Sequence, residues 1–268
     1  MSLAIYEDAI MQDSMRQLFD LSGRVALCTG GASGIGRRMA WALSQGGADV
    51  VLVDRDEKGL ADAAEQFKSG NGGEVATIAA DLLDRSALGD LVSEATGFFG
   101  APDIVTNAAG VNLRQPYDEI TDETWDLTLE INLSTAFFLS RHCLPGMKEK
   151  GGGHIINVAS LQSFRAFANS IPYGASKGGI AQLTRAMAEC WSADGVMVNA
   201  IAPGFFPTAL TKKVYDNPEL LDHNAQMTAI GRNGELEDLD GITVFLASAA
   251  ANYITGQVIP VDGGFTAK

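Results

Sequence analysis

The stretch TGGASGIG, residues 29–36, joins a short apolar run, RVALCTG, to a segment with helical periodicity, GASGIGRRMAWALSQGG. Glycines at such a junction allow a tight turn, let the backbone approach a diphosphate and permit close helix–strand packing. The first N–H groups of the helix then point outward, where phosphate oxygens can accept from them. A glycine cluster alone is weak evidence, but the strand–turn–helix context is the required one. We therefore predict a nucleotide-binding turn whose contacts come from Gly30, Ser33, Gly34, Ile35 and Gly36.

Strand-like and helical segments alternate along the rest of the chain. The strand-like runs are RVALCTG, ADVVLVD, EVATIAAD, PDIVTNAAG, GHIINVAS, VMVNAIAPG and GQVIPVDGG. They are continuously apolar rather than alternating, which is typical of parallel strands that are buried on both faces and linked by right-handed helical crossovers. The sequence thus predicts the α/β class, with one doubly wound, seven-stranded parallel sheet and helices on both faces.

The same alternation sets the expected boundaries. We predict one domain over residues 21–268, preceded by a leader over residues 1–20, with single helices over about 121–148 and 172–192. Residues 205–233 interrupt the alternation of strands and helices, because this segment is long, irregular and mixed in polarity. Insertions of this kind often cover a binding site, so we interpret residues 205–233 as a lid.

Composition excludes several classes of function. A net charge of −14 repels nucleic acid and anionic membranes, so neither is an expected partner. The three cysteines and three histidines are scattered, which predicts neither disulfides nor a metal site and favours a reducing, cytoplasmic setting. The first 20 residues lack the basic start of a signal peptide, and no apolar run approaches the length of a membrane span.

The identity of the nucleotide depends on the end of the second strand. Asp54 lies about 20 residues after the glycines, where a carboxylate accepts hydrogen bonds from an adenosine ribose and repels a 2′-phosphate. Arg55 follows directly and favours that phosphate, whereas Ser33, before Gly34, supplies no second cation. We therefore expect NAD as the cofactor, with NADP the less favoured alternative.

A tyrosine and a lysine, Tyr173 and Lys177, lie four residues apart in the helical segment IPYGASKGGIAQLTRAMAE. Residues with this spacing share one helix face. A free tyrosine, with a pKa near about 10, is a poor base at neutral pH, so a neighbouring ammonium that stabilises the phenolate is expected to lower its pKa. The pair is thus a candidate for proton transfer, although two neighbouring surface residues would give the same pattern.

Four motifs in order resemble the short-chain dehydrogenase/reductase superfamily: TGGASGIG, NAAG at 107–110, YGASK at 173–177 and PGFFPT at 203–208. The resemblance implies a Rossmann-type domain, hydride transfer with a nicotinamide cofactor, and a homotetramer built through the segments NLSTAFFLSRHCL and GGIAQLTRAMAECW. It also implies the catalytic residues Asn132, Ser160, Tyr173 and Lys177. Ala108 departs from the family's more usual NNAG. The further cofactor contacts that it implies are Asp81, Leu82, Asn107, Ala108, Gly110, Tyr173, Lys177, Pro203, Gly204 and Thr208.

Longer phrases, such as VNAIAPGFFPTALT, resemble the gluconate 5-dehydrogenases and 2-deoxy-D-gluconate 3-dehydrogenases within that superfamily. This implies a secondary alcohol on a sugar acid or polyol as the substrate. A sugar acid needs a local cation, which Arg114 or Arg165 can supply through paired hydrogen bonds, unless each arginine is an ordinary surface residue. Gln162, with Asn112 and Asn169, is a candidate contact for substrate hydroxyls.

Two other functions remain open at this point. A 3-oxoacyl-carrier-protein reductase would use NADPH and carry a basic patch for its acidic partner, which Asp54 and the net charge of −14 disfavour. A non-catalytic dinucleotide sensor would be expected to lose part of the catalytic group, whereas this chain keeps all four residues. Turnover of an alcohol distinguishes an enzyme from a sensor.

Overall fold

A seven-stranded parallel sheet forms the centre of the molecule. The structure is a computed structural model that describes residues 14–68, 70 and 72–268. The strands are β1 (Val25–Thr29), β2 (Asp49–Asp54), β3 (Val75–Ala79), β4 (Ile104–Asn107), β5 (Gly153–Val158), β6 (Val196–Pro203) and β7 (Val258–Val261). Their spatial order is β3-β2-β1-β4-β5-β6-β7. The predicted doubly wound parallel sheet is confirmed.

Helices cover both faces of this sheet. They are α1 (Gly34–Gln45), α2 (Glu57–Lys68), α3 (Leu88–Phe99), α4 (Asp122–Leu129), α5 (Thr135–Glu149), α6 (Ile171–Trp191), α7 (Lys212–Tyr215), α8 (Pro218–Met227) and α9 (Asp240–Ala247). The helix expected over about 121–148 is interrupted by a π-helical turn at Glu130–Ser134. Such turns are rare and occur often at functional sites.

The continuous apolar runs are explained by burial on both sides of the sheet. Successive strand residues point to opposite faces. One face packs against α3 and α5 through Leu27, Val51, Val53, Val105 and Ile155. The other packs against α1 and α9 through Ala26, Cys28, Val50, Leu52 and Ile156. The inner strands β1, β4 and β5 are buried throughout, whereas the edge strands β3 and β7 are partly exposed.

The strand order reverses direction between β1 and β4, which are direct neighbours. The chain leaves β1 toward β2 on one side, and leaves β4 toward β5 on the other. The loops that follow β1 and β4 therefore diverge and open a crevice beyond the carboxyl ends of the strands. Ligands of open α/β sheets bind at this position.

The segment expected to be an irregular lid, residues 205–233, contains α7 and α8. Asn217 begins α8 as its N-cap, because its side chain accepts from the backbone N–H groups of Glu219 and Leu220. Residues 1–13 of the expected leader lie outside the described residues, so the leader and the domain boundary at 20/21 stay predictions. None of the helices in the described part of the chain has the length and apolarity that a membrane crossing requires.

His154, on β5, lies at the opposite end of the sheet from the crevice. Its side chain is buried, and its backbone N–H donates to the carbonyl of Asp103 at 2.8 Å. Burial, reinforced by the charge of Arg24, lowers the pKa of His154 to about 4. The folded protein therefore holds this imidazole neutral at pH values where an unfolded chain would already be protonated.

The depressed pKa of His154 predicts an acid-sensitive fold. The unfolded state binds the extra proton below about pH 6.5, so folding stability should fall between pH 7.5 and 4.5, by about 2.5 kcal/mol from this group. Urea unfolding of a His154→Asn variant should show a smaller loss over this range than the wild type. The variant His223→Asn, at an exposed position, should keep the full loss, and an equal loss in all three proteins would contradict the assignment.

Candidate active site

A cavity of about 450 Å³ lies at the carboxyl ends of the strands, beside the reversal of strand order. Side chains and backbone from the loops after β1, β2, β3, β4, β5 and β6 line it together with the start of α6. It brings together the following residues predicted from the sequence: Gly30, Ser33, Gly34, Ile35, Gly36, Asp54, Arg55, Asp81, Leu82, Ala108, Gly110, Arg114, Ser160, Gln162, Tyr173, Lys177, Pro203, Gly204 and Thr208. Asn107, Asn132 and Arg165 do not line it.

The glycine turn is shaped for close backbone approach. Gly30 has a φ of 69°, and a Cβ there would lie 3.0 Å from the backbone nitrogen of Ala109. A Cβ on Gly36 would overlap the carbonyl oxygen of Gly30. Ser33, the N-cap of α1, makes no side-chain cap hydrogen bond, so the first N–H groups of this helix are left to a ligand. The turn fits the diphosphate of a dinucleotide.

The acidic residues at the ends of β2 and β3 are held in place by backbone donors. The Asp54 carboxylate accepts from the N–H groups of Ala32, at 3.2 Å, and Asp56, at 3.1 Å. Asp81 accepts from the N–H of Leu83 at 3.0 Å. Each carboxylate retains acceptor capacity toward the cavity, as a site for ribose and adenine requires. These residues, together with the glycine turn, fit a bound dinucleotide.

Asn107 lies beneath the cavity rather than at its surface. Its side-chain amide donates to the Ser140 hydroxyl at 3.0 Å and to Asn157 Oδ1 at 2.8 Å. Asn157 in turn donates to the Thr184 hydroxyl at 2.9 Å. This buried network ties the end of β4 to α5, β5 and α6. The structure thus gives Asn107 a role in fixing the position of the loop that lines the site.

Asn132, in the π-helical turn, has a similar supporting position. Its Oδ1 accepts from the N–H of Val111 at 2.8 Å, and its Nδ2 donates to the Val111 carbonyl at 2.9 Å and to the Ser176 hydroxyl at 3.1 Å. Both amide hydrogens are therefore used. The side chain joins the loop after β4 to the helix that carries Tyr173, which sequence reasoning did not foresee.

Tyr173, Lys177 and Ser160 meet at the cavity wall. Lys177 is buried, its Nζ donates to the carbonyl of Val158 at 2.6 Å, and it lies 5.6 Å from the ring centroid of Tyr173. Burial lowers the pKa of Lys177 to about 8. Ser160, the residue after Ala159 beyond the end of β5, accepts from the N–H of Gln162 at 3.2 Å.

The pKa of Tyr173 departs from the expectation. Burial raises it, and the opposing influences are a side-chain hydrogen bond with Ser160 and the charge of Arg114. Lys177 is not among these influences, and its ammonium donates to the Val158 carbonyl; the lowering expected from Lys177 stays a prediction. Arg114 is the cation whose charge opposes the effect of burial on this phenol.

The remaining polar side chains predicted to meet substrate divide into two groups. Arg114 lines the cavity, and no hydrogen bond or ion pair within the described residues engages its guanidinium. Gln162 also lines it, with its Nε2 donating to the Ser170 hydroxyl at 3.0 Å, and Ser170 donates onward to Asn112. Arg165 instead bonds to the carbonyl oxygen of Lys268, outside the cavity.

Aromatic residues that sequence reasoning missed form part of the wall. Phe167 and Phe205 both line the cavity, and their ring centroids lie 6.3 Å apart. Buried Phe265 packs behind them, 6.3 Å from Phe167 and 5.8 Å from Phe205. The Phe pair in the motif PGFFPT was the available signal, but nothing in the local pattern indicates the packing with Phe265.

Comparison with known proteins agrees with this geometry. The family model described as enoyl-(acyl carrier protein) reductase matches residues 30–266. Gluconate 5-dehydrogenase of Gluconobacter oxydans is 37% identical over 249 residues, which cover 93% of this chain and 97% of that protein. Galactitol 2-dehydrogenase (L-tagatose-forming) of Cereibacter sphaeroides is 38% identical over 256 residues, which cover 94% and 98%.

Among solved structures, a gluconate 5-dehydrogenase from Burkholderia cenocepacia, in complex with NADP and tartrate, is similar at a TM-score of 0.88 and 34% identity. The match covers 95% of this chain and 99% of that one. Sequence, fold and site geometry thus lead to one conclusion. The chain belongs to the short-chain dehydrogenase/reductase family and is an NAD(P)-dependent oxidoreductase that acts on CH–OH groups.

Proposed function

We propose that this enzyme transfers hydride between a secondary alcohol of a sugar acid or polyol and a nicotinamide cofactor, with NAD preferred. The observation that carries the proposal is the position of Arg114, a cation that lines the cavity and makes no hydrogen bond or ion pair with the described residues. A guanidinium at this position suits a substrate carboxylate. The names of the sugar-acid and polyol dehydrogenases among the relatives support the same class of substrate.

The proposed chemistry assigns separate tasks to three side chains. When bound, the nicotinamide accepts or supplies the hydride. Tyr173 takes the proton of the substrate hydroxyl during oxidation and returns it during reduction. Ser160 hydrogen-bonds the same substrate oxygen and, through its contact with Tyr173, stabilises the phenolate. Lys177 donates to the cofactor ribose in this proposal, in addition to its bond with Val158.

The preference for NAD rests on the end of β2. Asp54 is anchored by two backbone N–H groups, so its carboxylate cannot turn away from a ribose without breaking both bonds. A 2′-phosphate would meet that charge. Arg55 is exposed beside it and provides the opposing attraction. The Burkholderia cenocepacia relative is described with NADP, so the preference in this chain is a proposal about Asp54 rather than a property of the family.

The substrate class is tested by comparing acids with uncharged polyols. NAD reduction at 340 nm should be measured with a panel of aldonates, hexitols and a simple secondary alcohol. An Arg114→Gln variant should raise the KM for an active aldonate by about tenfold or more, because a charge-assisted pair is lost, and leave the KM for a hexitol nearly unchanged. The variant Lys58→Gln, which removes an exposed cation from α2, serves as the control.

Other outcomes would change the assignment. Equal KM values for an aldonate in the Arg114→Gln variant and the wild type would place the carboxylate elsewhere. Inactivity across the panel, together with NADPH oxidation by a 3-oxoacyl thioester, would favour the carrier-protein reductase. The homotetramer and the cytoplasmic setting stay predictions, and sedimentation at micromolar concentration tests the former.

A further inference from the structure

Arg165, which the sequence suggested as a substrate contact, has a different set of neighbours. Its guanidinium donates to the backbone carbonyl of Lys268 and lies 5.6 Å from the ring centroid of Phe265. Arg165 follows Ser160 by five residues, in the loop after β5. It therefore connects the loop that carries a catalytic side chain to residues 265–268.

Residues 265–268 are bonded on their other side to the end of the lid. The Lys268 ammonium donates to the carbonyls of Gln226 and Thr228, each at 2.9 Å. These carbonyls lie at the C-terminal end of α8, where the orphaned acceptors and the helix dipole favour a cation. Lys268 thus caps α8 while its own carbonyl accepts from Arg165.

The aromatic ring of Phe265 completes the connection. It is 4% exposed and packs against Phe167 and Phe205, the two rings that line the cavity. Movement of residues 265–268 would therefore shift the rings of Phe167 and Phe205 in the cavity wall. The end of the lid also contacts this segment directly, because the backbone N–H groups of Ala229 and Ile230 donate to the Gly263 carbonyl at 2.8 and 3.2 Å, and a cavity of about 280 Å³ lies beside this contact.

We propose that Arg165, Phe265 and Lys268 form a clasp that holds the lid, residues 205–233, against the loop after β5. In this proposal Arg165 and Lys268 are positioning residues. They do not touch the substrate, and they set how firmly α8 and the Phe205 wall are held. The proposal deepens the proposed function because the lid is taken to cover the substrate.

Two charge-removing variants test the clasp. Lys268→Met and Arg165→Met keep the apolar stems and remove the donors. Hydrogen exchange of amides in residues 212–228, measured without substrate, should become about tenfold faster in each variant. Lys268→Met loses the bonds to the end of α8, and Arg165→Met loses the bond that holds the backbone of Lys268. Lys268→Arg should restore most of the protection. Lys213→Met, which removes an exposed lysine from α7 of the same lid, should leave exchange unchanged.

The steady-state readout separates positioning from general stability. The KM for the alcohol should rise about fivefold in both variants, with kcat and NAD affinity unchanged. The double variant should behave like either single variant, because both residues hold one clasp. Faster exchange throughout the chain, or equal exchange in all variants, would overturn the proposal. Failure of the panel of alcohols would contradict the proposed function alone, because the exchange measurement needs no substrate.

Discussion

Replacement of Tyr173 by phenylalanine should lower kcat by about 1,000-fold while leaving the affinity for the cofactor within about twofold of the wild type. Positioned acid–base groups contribute about this much to an enzymatic rate. The phenylalanine ring fills the same volume at the start of α6, and the Lys177 bond to the Val158 carbonyl does not involve the phenol. The loss should therefore appear in turnover rather than in binding or folding.

The matched control is Tyr253→Phe, which removes a hydroxyl from a fully exposed tyrosine. It should have wild-type kinetics. A pH profile adds a second readout, because burial raises the pKa of Tyr173 and the phenolate that accepts a proton becomes more abundant as pH rises. Alcohol oxidation by the wild type should therefore increase toward alkaline pH. Turnover of the Tyr173→Phe variant at wild-type rates would show that another group accepts the proton.

Sequence patterns were most informative where a motif carries its own structural context. In TGGASGIG, Gly30 and Gly31 lie between β1 and α1, Gly34 and Gly36 belong to the first turn of α1, and a Cβ on Gly30 or Gly36 would meet nearby backbone. Continuous apolar runs predicted the parallel strands because burial on both faces is a local property of each strand. The turn and the apolar runs are visible in short stretches of sequence, although the backbone that a Cβ on Gly30 would meet belongs to Ala108 and Ala109, far along the chain.

Contacts made at long sequence separation were not predictable in the same way. Arg165 lies within five residues of Ser160, yet its partners are more than 90 residues away, at Phe265 and Lys268. The catalytic role implied for Asn132 did not indicate its bonding partners, Val111 and Ser176, which the side chain reaches from the π-helical turn. In both cases the place of a polar residue near a motif suggested a role, while its bonding partners depend on the tertiary structure.

The negative charge of Asp54, at the end of β2, should determine the relative affinity for NAD and NADP. An Asp54→Asn variant should weaken NAD binding by about tenfold and strengthen NADP binding by about tenfold, so that the ratio of the two dissociation constants changes about 100-fold. The amide keeps an oxygen that can accept from Ala32 or Asp56, so the strand end is not left without a partner. What it loses is the negative charge that strengthens bonds from the ribose and repels a 2′-phosphate.

Asp49→Asn removes the same charge from the other end of β2, where the carboxylate accepts from the N–H of Glu74. Because Asp49 lies a full strand length from the cavity, this control should leave the ratio of NAD to NADP affinity unchanged. Arg55→Met should act in the opposite direction to Asp54→Asn and weaken NADP binding selectively. A wild type that binds NADP more tightly than NAD would mean that attraction by Arg55 exceeds repulsion by Asp54. In that case the Asp54→Asn variant would still measure how large the repulsion is.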